Sequence, residues 1–193
     1  MLRLILNDDH LAGALGEALT ACRHRLFIAS ADVKDLHITI NSREPAKAAR
    51  TGIPWRPRPA RPRRQSIMRV FRDLSGAGIE VRLLHSGVPS GPFLGELKQG
   101  IPKGLVMRRC PRVHAKAVIA DGRLMYLGSA NLTGAGLGAK SARRRNFEAG
   151  IWTDDLALID PVLDMLDSIW NGSRCEDCGR KAHCPVPLEE PRL

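Results

Sequence analysis

Read from His114, the chain runs His114-x-Lys116, then Asp121-Gly122, then Gly128-Ser129-x-Asn131. An imidazole can attack phosphorus to form a phosphohistidine, which divides one hard hydrolysis into two easier displacements. A lysine ammonium, a serine hydroxyl and a carboxamide can hold the nonbridging oxygens as charge builds in the pentavalent transition state. These donors grip phosphate without a metal. Residues two apart on a strand leave the same face, so His114 and Lys116 are expected side by side on a strand over 114–120. Asp121-Gly122 is a strong hairpin signal that returns a second strand over 124–129, bringing Gly128, Ser129 and Asn131 to the same edge. A His-x-Lys pair alone is commonplace, and it is the register of all six positions that makes the pattern specific.

The full spacing is His114-x-Lys116, four residues, Asp121, six residues, Gly128-Ser129-x-Asn131, and it resembles the HKD motif of the phospholipase D superfamily at every position. The resemblance implies a metal-independent phosphodiesterase in which His114 is the nucleophile. The downstream Asn146-Phe147-Glu148 is similar to the N-x-E element of bacterial endonuclease members, with a longer segment, Lys140 to Arg145, before it. Family members build one site from two motifs and this sequence has one, so the resemblance implies a homodimer with the site on its two-fold axis. The partner subunit's His114 would protonate the leaving oxygen and later activate water, as an ordinary histidine pKa of ~6.5 allows. Lys116 and Asn131 of both chains would hold the phosphoryl oxygens, with Ser129 adding a hydrogen bond. Glu148 is expected to accept from the other imidazole nitrogen and fix its tautomer. Asp121 and Gly128 are assigned to the architecture rather than to the chemistry.

The elements that must position these residues read as α/β. Leu11, Leu15, Leu19 and Cys22 mark an amphipathic helix opening at Asp9 or His10, and Arg25 to Ser30 a buried strand. Residues 42–64 hold five prolines and predict an extended arm or loop. A helix from Ser66 through Leu74 stops at Gly76 and Gly78, and strands follow at 79–84 and 105–109 with a short helix near 94–99 between them. A strand over 147–152 leads through Asp154 and Asp155 into a helix carrying Leu158 to Trp170. The resemblance implies the same arrangement, a mixed β-sheet with helices on both faces. One catalytic domain over 1–171 is expected, with the basic 42–64 insertion, followed by a cysteine-rich tail over 172–193.

Thirty Lys and Arg against twenty Asp and Glu give a formal charge of +10, a field that draws polyanions. Nucleic acid, DNA in particular, is the expected partner. Arg56, Arg58, Arg61, Arg63 and Arg64 in the arm, and Lys140, Arg143, Arg144 and Arg145 between the motif elements, are the candidate phosphate contacts. Trp55 could stack on an unpaired base or anchor the arm to the core. No stretch approaches the roughly 20 apolar residues of a membrane span, so a cytoplasmic protein without membrane contact is expected. A phospholipid-processing relative should carry an amphipathic anchor, and none is evident. A noncatalytic nucleic-acid-binding subunit is the reading from another class, and the intact His114 and Lys116 argue against it. The resemblance also suits a nuclease of a restriction, anti-phage or other DNA-processing complex.

Three of the five cysteines fall within residues 175–184, which does not resemble a disulfide framework. Cys175-x-x-Cys178, followed by His183 and Cys184, reads as a structural zinc site rather than an iron–sulfur cluster. Only three thiols are present in the tail, so His183, Cys110 or a group from elsewhere must complete the shell. No cofactor is expected for catalysis itself.

Overall fold

The computed structural model describes residues 1–40, 63–184 and 186–191. Nine strands are described: β1 (Leu2–Leu6), β2 (Arg25–Ser30), β3 (His37–Ile40), β4 (Arg63–Ser66), β5 (Glu80–His85), β6 (Leu105–Arg109), β7 (Ala117–Ala120), β8 (Leu124–Gly128) and β9 (Ala149–Thr153). Seven of them form one mixed sheet in the order β1-β9-β8-β7-β2-β5-β6, and β3 pairs with β4 as a separate ribbon. Strand β2 runs parallel to β5 and antiparallel to β7, so the sheet changes from parallel to antiparallel at its centre.

Alternation along the central strands sorts the core into two layers. Leu26, Ile28, Val81, Leu83, Val118, Ala120, Tyr126 and Trp152 face one side, where α2 (Ile67–Gly76) and α3 (Gly91–Lys98) pack with the N-terminal helical segment. Phe27, Ala29, Leu84, Ala117, Ile119 and Met125 face the other, against Ile159, Leu166 and Trp170 of α4 (Leu156–Trp170). Helices therefore cover both faces, as the α/β reading expects. Asp155 caps α4 by accepting from the Ala157 N–H at 3.0 Å, and Ser66 caps α2 by accepting from Arg69.

Several elements differ from expectation. Strand β1 carried no sequence signal beyond a short apolar run, and it gains its place by pairing antiparallel with β9. The first helix begins as a π-wound stretch, His10–Gly16, before α1 (Glu17–Ala21). His114 and Lys116 precede the strand that was expected to carry them, because ladder pairing with β8 and β2 starts at Ala117. Likewise β9 opens at Ala149, two residues later than expected. Arg63 and Arg64, at the end of the expected extended arm or loop, belong to β4; Trp55, Arg56, Arg58 and Arg61 lie outside the described residues. No helix among the described residues is long and apolar enough to cross a membrane.

The hairpin is the expected one. Asp121 and Gly122 have φ of 54° and 67°, the two positive values that a type I′ turn requires, and Arg123 N–H donates to the Ala120 carbonyl at 2.9 Å. Asp121 has a second task that its place in the motif did not reveal. Its carboxylate accepts from the backbone N–H groups of Arg23, His24 and Arg25 at 2.7–2.8 Å, fastening the entrance of β2 to the turn. The Cys22 thiol donates to it at 3.6 Å, and burial together with this carboxylate pushes that thiol up to about 12. Burial acts to raise the Asp121 pKa, but the N–H groups of Arg25, His24 and Arg23 outweigh it and hold the carboxyl below its ordinary value.

Asp121→Asn keeps the turn residue type but presents one acceptor oxygen to three donors, and about 3 kcal/mol of stability should be lost at neutral pH. Because the folded-state pKa is depressed, this contribution is present above the ordinary carboxylate pKa and disappears as pH falls through the lowered one. Urea unfolding of both proteins at neutral and strongly acidic pH should show the gap between midpoints closing in acid; a gap independent of pH would remove the carboxylate from this role.

Candidate active site

The two halves of the motif meet because the hairpin sets the register. Ala117 pairs with Leu127, and Gly128 N–H donates to the Lys116 carbonyl at 3.1 Å, so Lys116 lies across from Gly128 and beside Ser129. Lys116 is 8% exposed, and its Nζ lies 3.1 Å from His114 Nδ1, 3.2 Å from Nε2 and 2.8 Å from the His114 carbonyl. The imidazole itself is exposed. An exposed imidazole beside a buried ammonium leaves the ring nitrogens reachable while the cation is shielded from water, an arrangement that can hold an anion. Burial lowers the Lys116 pKa, and the Glu148 carboxylate acts in the opposite direction, leaving it below the ordinary lysine value.

Glu148 does not take the expected position against His114. Its carboxylate accepts from Ser129 Oγ and from Asn146 Nδ2, the latter at 2.9 Å. The cause is register: Ser129 N–H donates to the Ala149 carbonyl at 3.0 Å, and Ala149 N–H to Ser129 Oγ at 3.1 Å, so Ser129 lies across from Ala149, the first residue of β9, and beside Glu148 just before it. Asn7, in a left-handed turn at the end of β1, accepts from Glu148 N–H through its side chain at 3.3 Å and donates its own N–H to the Glu148 carbonyl at 2.9 Å. Ser129, Asn146 and Glu148 thus form one hydrogen-bonded group, which lies within electrostatic reach of Lys116.

Asn131 is oriented from another direction. Its Oδ1 accepts from Asp32 N–H at 3.1 Å and from Ser30 Oγ at 3.3 Å, and Ser30 Oγ also accepts from Leu132 N–H. Because a backbone N–H can only donate, the carboxamide oxygen is committed to Asp32. Its NH₂ is thereby left as the end that can meet an incoming oxygen. Asn131 shares no hydrogen bond with His114 or Lys116 among the described residues. Ser30, Asp32 and Asn7 are positioning residues that sequence reasoning missed; the Ser30 end of the buried strand β2 was the available signal.

Gly128 has a steric reason. It pairs with Gly150 across β8 and β9, and the Tyr126 ring crosses above the pair, with its hydroxyl accepting from Ala130 N–H at 3.3 Å. A Cβ at Gly128 would lie 2.3 Å from Tyr126 Oη and 2.7 Å from the Ala149 carbonyl, and one at Gly150 2.5 Å from the ring. Two glycines in register allow a buried aromatic to brace the strand end that carries Ser129.

The loop from β8 to β9 carries the second basic cluster. Lys140, Arg143 and Arg144 are exposed and have no carboxylate partner among the described residues. Arg145 pairs with Asp8 at 2.9 Å, which ties this loop to the turn after β1. In the tail, Cys175, Cys178 and Cys184 line one cavity, whereas His183 does not and Cys110 does. No three His, Cys, Asp or Glu side chains among the described residues stand ready to ligate a metal ion.

The family described as cardiolipin synthase, PLD-like domain matches residues 60–170, more than half of the chain, leaving β1, the N-terminal helical segment, β2, β3 and the tail outside the matched segment. Nuc from Salmonella typhimurium, a phospholipase D family member, superposes with a TM-score of 0.59 at 13% identity, covering 100% of this chain and 99% of its own. NucT from Helicobacter pylori gives a TM-score of 0.56 at 16% identity, covering 89% of this chain and 96% of that one. The archaeal chromatin protein TrmBL2 reaches 0.50 at 12% identity over 88% of this chain and 52% of its own. No curated protein matched in the sequence comparison.

Gly128→Ala should destabilise by about 1–3 kcal/mol, because the clash is with backbone and a buried ring that cannot both retreat. Gly95→Ala, in α3 with nothing within 4 Å of the new methyl, should instead stabilise by up to ~1 kcal/mol. Denaturant midpoints of the two variants moving in the same direction would sink the bracing argument.

Proposed function

Because the chain belongs to the phospholipase D-like family described as cardiolipin synthase, PLD-like domain, we propose that it is a metal-independent phosphodiesterase cleaving nucleic acid, DNA by preference. The observation that carries this reading is the exposed His114 imidazole against the buried Lys116 ammonium, next to the Ser129–Glu148 pair at one end of the interior strands β7, β8 and β9. Attack by an imidazole nitrogen on phosphorus forms the P–N bond and expels one ester oxygen; water then breaks that bond to regenerate histidine. Lys116 and the free amide end of Asn131 hold the nonbridging oxygens as charge grows. Glu148 holds Ser129 and raises the Lys116 pKa against the effect of burial, rather than orienting the imidazole within its own chain.

One protomer supplies one such histidine, and the leaving oxygen needs a proton, so a second copy completes the site on a two-fold axis. A surface for that copy adjoins the site. Leu2, Leu4 and Leu6 of β1 lie on the α4 face of the sheet, through the register Leu4–Ile151–Leu127–Ala117, yet α4 does not cover them: Leu2 is 64% and Leu4 65% exposed. Phe147, between Asn146 and Glu148, is 95% exposed. An apolar strip of this kind beside polar site residues suits a self-complementary interface.

Nucleic acid is favoured over phospholipid by the charge of +10 and by Arg143 and Arg144 standing unpaired among the described residues, close in sequence to Asn146 and Glu148. TrmBL2, a DNA-binding chromatin protein, shares this fold over 52% of its chain. Service in a restriction or anti-phage complex belongs to the same proposal and rests on the resemblance alone.

In magnesium-free buffer with EDTA, the wild type should hydrolyse bis(p-nitrophenyl) phosphate and labelled DNA, and His114→Ala should not. When wild type and His114→Ala are mixed and re-equilibrated, activity should follow the square of the wild-type fraction, since a mixed dimer has one histidine in its single site. A linear dependence would mean that each chain works alone. Inactivity of both proteins alongside salt-sensitive DNA binding would point to a noncatalytic binding subunit.

The pH profile tests Lys116. If its ammonium holds the substrate, kcat/KM falls as pH rises through a pKa below the ordinary lysine value, and Glu148→Gln, by removing the charge that raises that pKa, moves the fall to lower pH. An alkaline limb that does not move in Glu148→Gln would assign it to another group.

A further inference from the structure

The tail carries chemistry that hydrolysis does not use. Its described residues after Gly172 form turns and one three-residue helical turn at Lys181–His183, and most of them are exposed, so they bury too little apolar surface to hold their own shape. Nevertheless it returns to the edge of the main sheet. Arg109 N–H donates to the Glu189 carbonyl at 3.0 Å, and Arg109 and Arg108 pair with Glu189 and Glu190. Between these contacts and the end of α4 lies a cavity of about 280 Å³ lined by Cys110, Cys175, Cys178 and Cys184. Cys110 is 65 residues from Cys175 in sequence, immediately after β6, and its N–H is fixed to the His85 carbonyl at 2.8 Å. All four thiols are free and partly exposed.

We propose that Cys110, Cys175, Cys178 and Cys184 bind one structural Zn²⁺ that clips the tail to the connection between β6 and β7. Cys175 and Cys178 stand in a turn, with Cys178 N–H donating to the Cys175 carbonyl at 3.3 Å, the knuckle half of a tetrathiolate site. Cys110 from the sheet and Cys184 from the far side of the tail supply the other half, which answers the shortage of a fourth thiol in the tail itself. Four thiolates around Zn²⁺ carry two net negative charges, and Arg112, Arg174, Arg180 and Lys181 line the same cavity, with Arg112 Nη1 3.6 Å from Cys178 Sγ. That ring of cations offsets the charge. The four thiols line one cavity but do not stand at ligating positions, so binding requires the tail to close around the ion, as when metal binding and folding of a small segment are coupled. Binding displaces four thiol protons and involves no redox step. The site is independent of the hydrolytic reading, because it touches none of His114, Lys116, Ser129, Asn131 or Glu148.

Metal analysis of the full chain, purified under reducing conditions without chelator and then reconstituted with Zn²⁺, tests this. One equivalent of zinc per chain is expected in the wild type and in His183→Ala, with loss of stoichiometric zinc in Cys110→Ser and in Cys178→Ser. Zinc removal should also speed tryptic cleavage at Arg174, Arg180 and Lys181, while circular dichroism shows the main sheet intact. Retention of zinc by Cys110→Ser, loss from His183→Ala, iron with cluster absorption, or a wild type that takes up no zinc with four titratable thiols would each overturn the assignment.

Discussion

The hydrogen-bond register between β7 and β8 is the constraint on which the site depends. A side-chain period of two means that a slip of one residue would turn every side chain of the hairpin to the opposite face. Two features prevent this: a type I′ turn with both central residues at positive φ, and the Asp121 carboxylate, which fastens that turn to the N–H groups opening β2. At the other end of the hairpin the same register brings the Lys116 carbonyl to Gly128 and so delivers Ser129 beside the His114–Lys116 pair. The anchor and the chemistry sit at opposite ends of one short ladder, and the ladder transmits position between them.

Packing makes that ladder stiff. Val118 and Ala120 enter one core layer while Ala117 and Ile119 enter the other, so β7 is held from both faces. Tyr126 spans the paired glycines 128 and 150 and places its hydroxyl under Ala130 N–H. A polar group can be held precisely only on a support that does not itself move. Here the support is mostly aliphatic, with Phe27 and Trp152 filling the two core layers and Tyr126 bracing the strand end.

Electrostatics divide the work among groups that look alike in sequence. Lys116 is buried, and burial depresses its pKa; Glu148 partly restores it; Arg145 pairs with Asp8, while Arg143 and Arg144 have no carboxylate partner among the described residues. Basic residues of one stretch therefore have different tasks. Similarly Asp121 serves structure and Glu148 serves the site, although both are carboxylates beside the same hairpin. Their neighbours decide this: three backbone donors in one case, a hydroxyl and an amide in the other.

By itself the sequence determined the α/β class, the hairpin, most of the central strands and the six motif positions. Each of those signals is local: a turn dipeptide, a period of two, or a fixed spacing along the chain. What it could not determine depends on contacts between distant segments. Strand β1 is a strand because β9 offers it an edge, Glu148 faces Ser129 because β9 opens at Ala149, and Asn131 is aimed by Asp32, 99 residues earlier. Cys110 lines one cavity with the tail cysteines, where Arg108 and Arg109 pair with Glu190 and Glu189 and the tail returns to β6. A motif names the groups that can act on phosphorus, but the register of non-neighbouring strands decides which of them touch, and only folding sets that register.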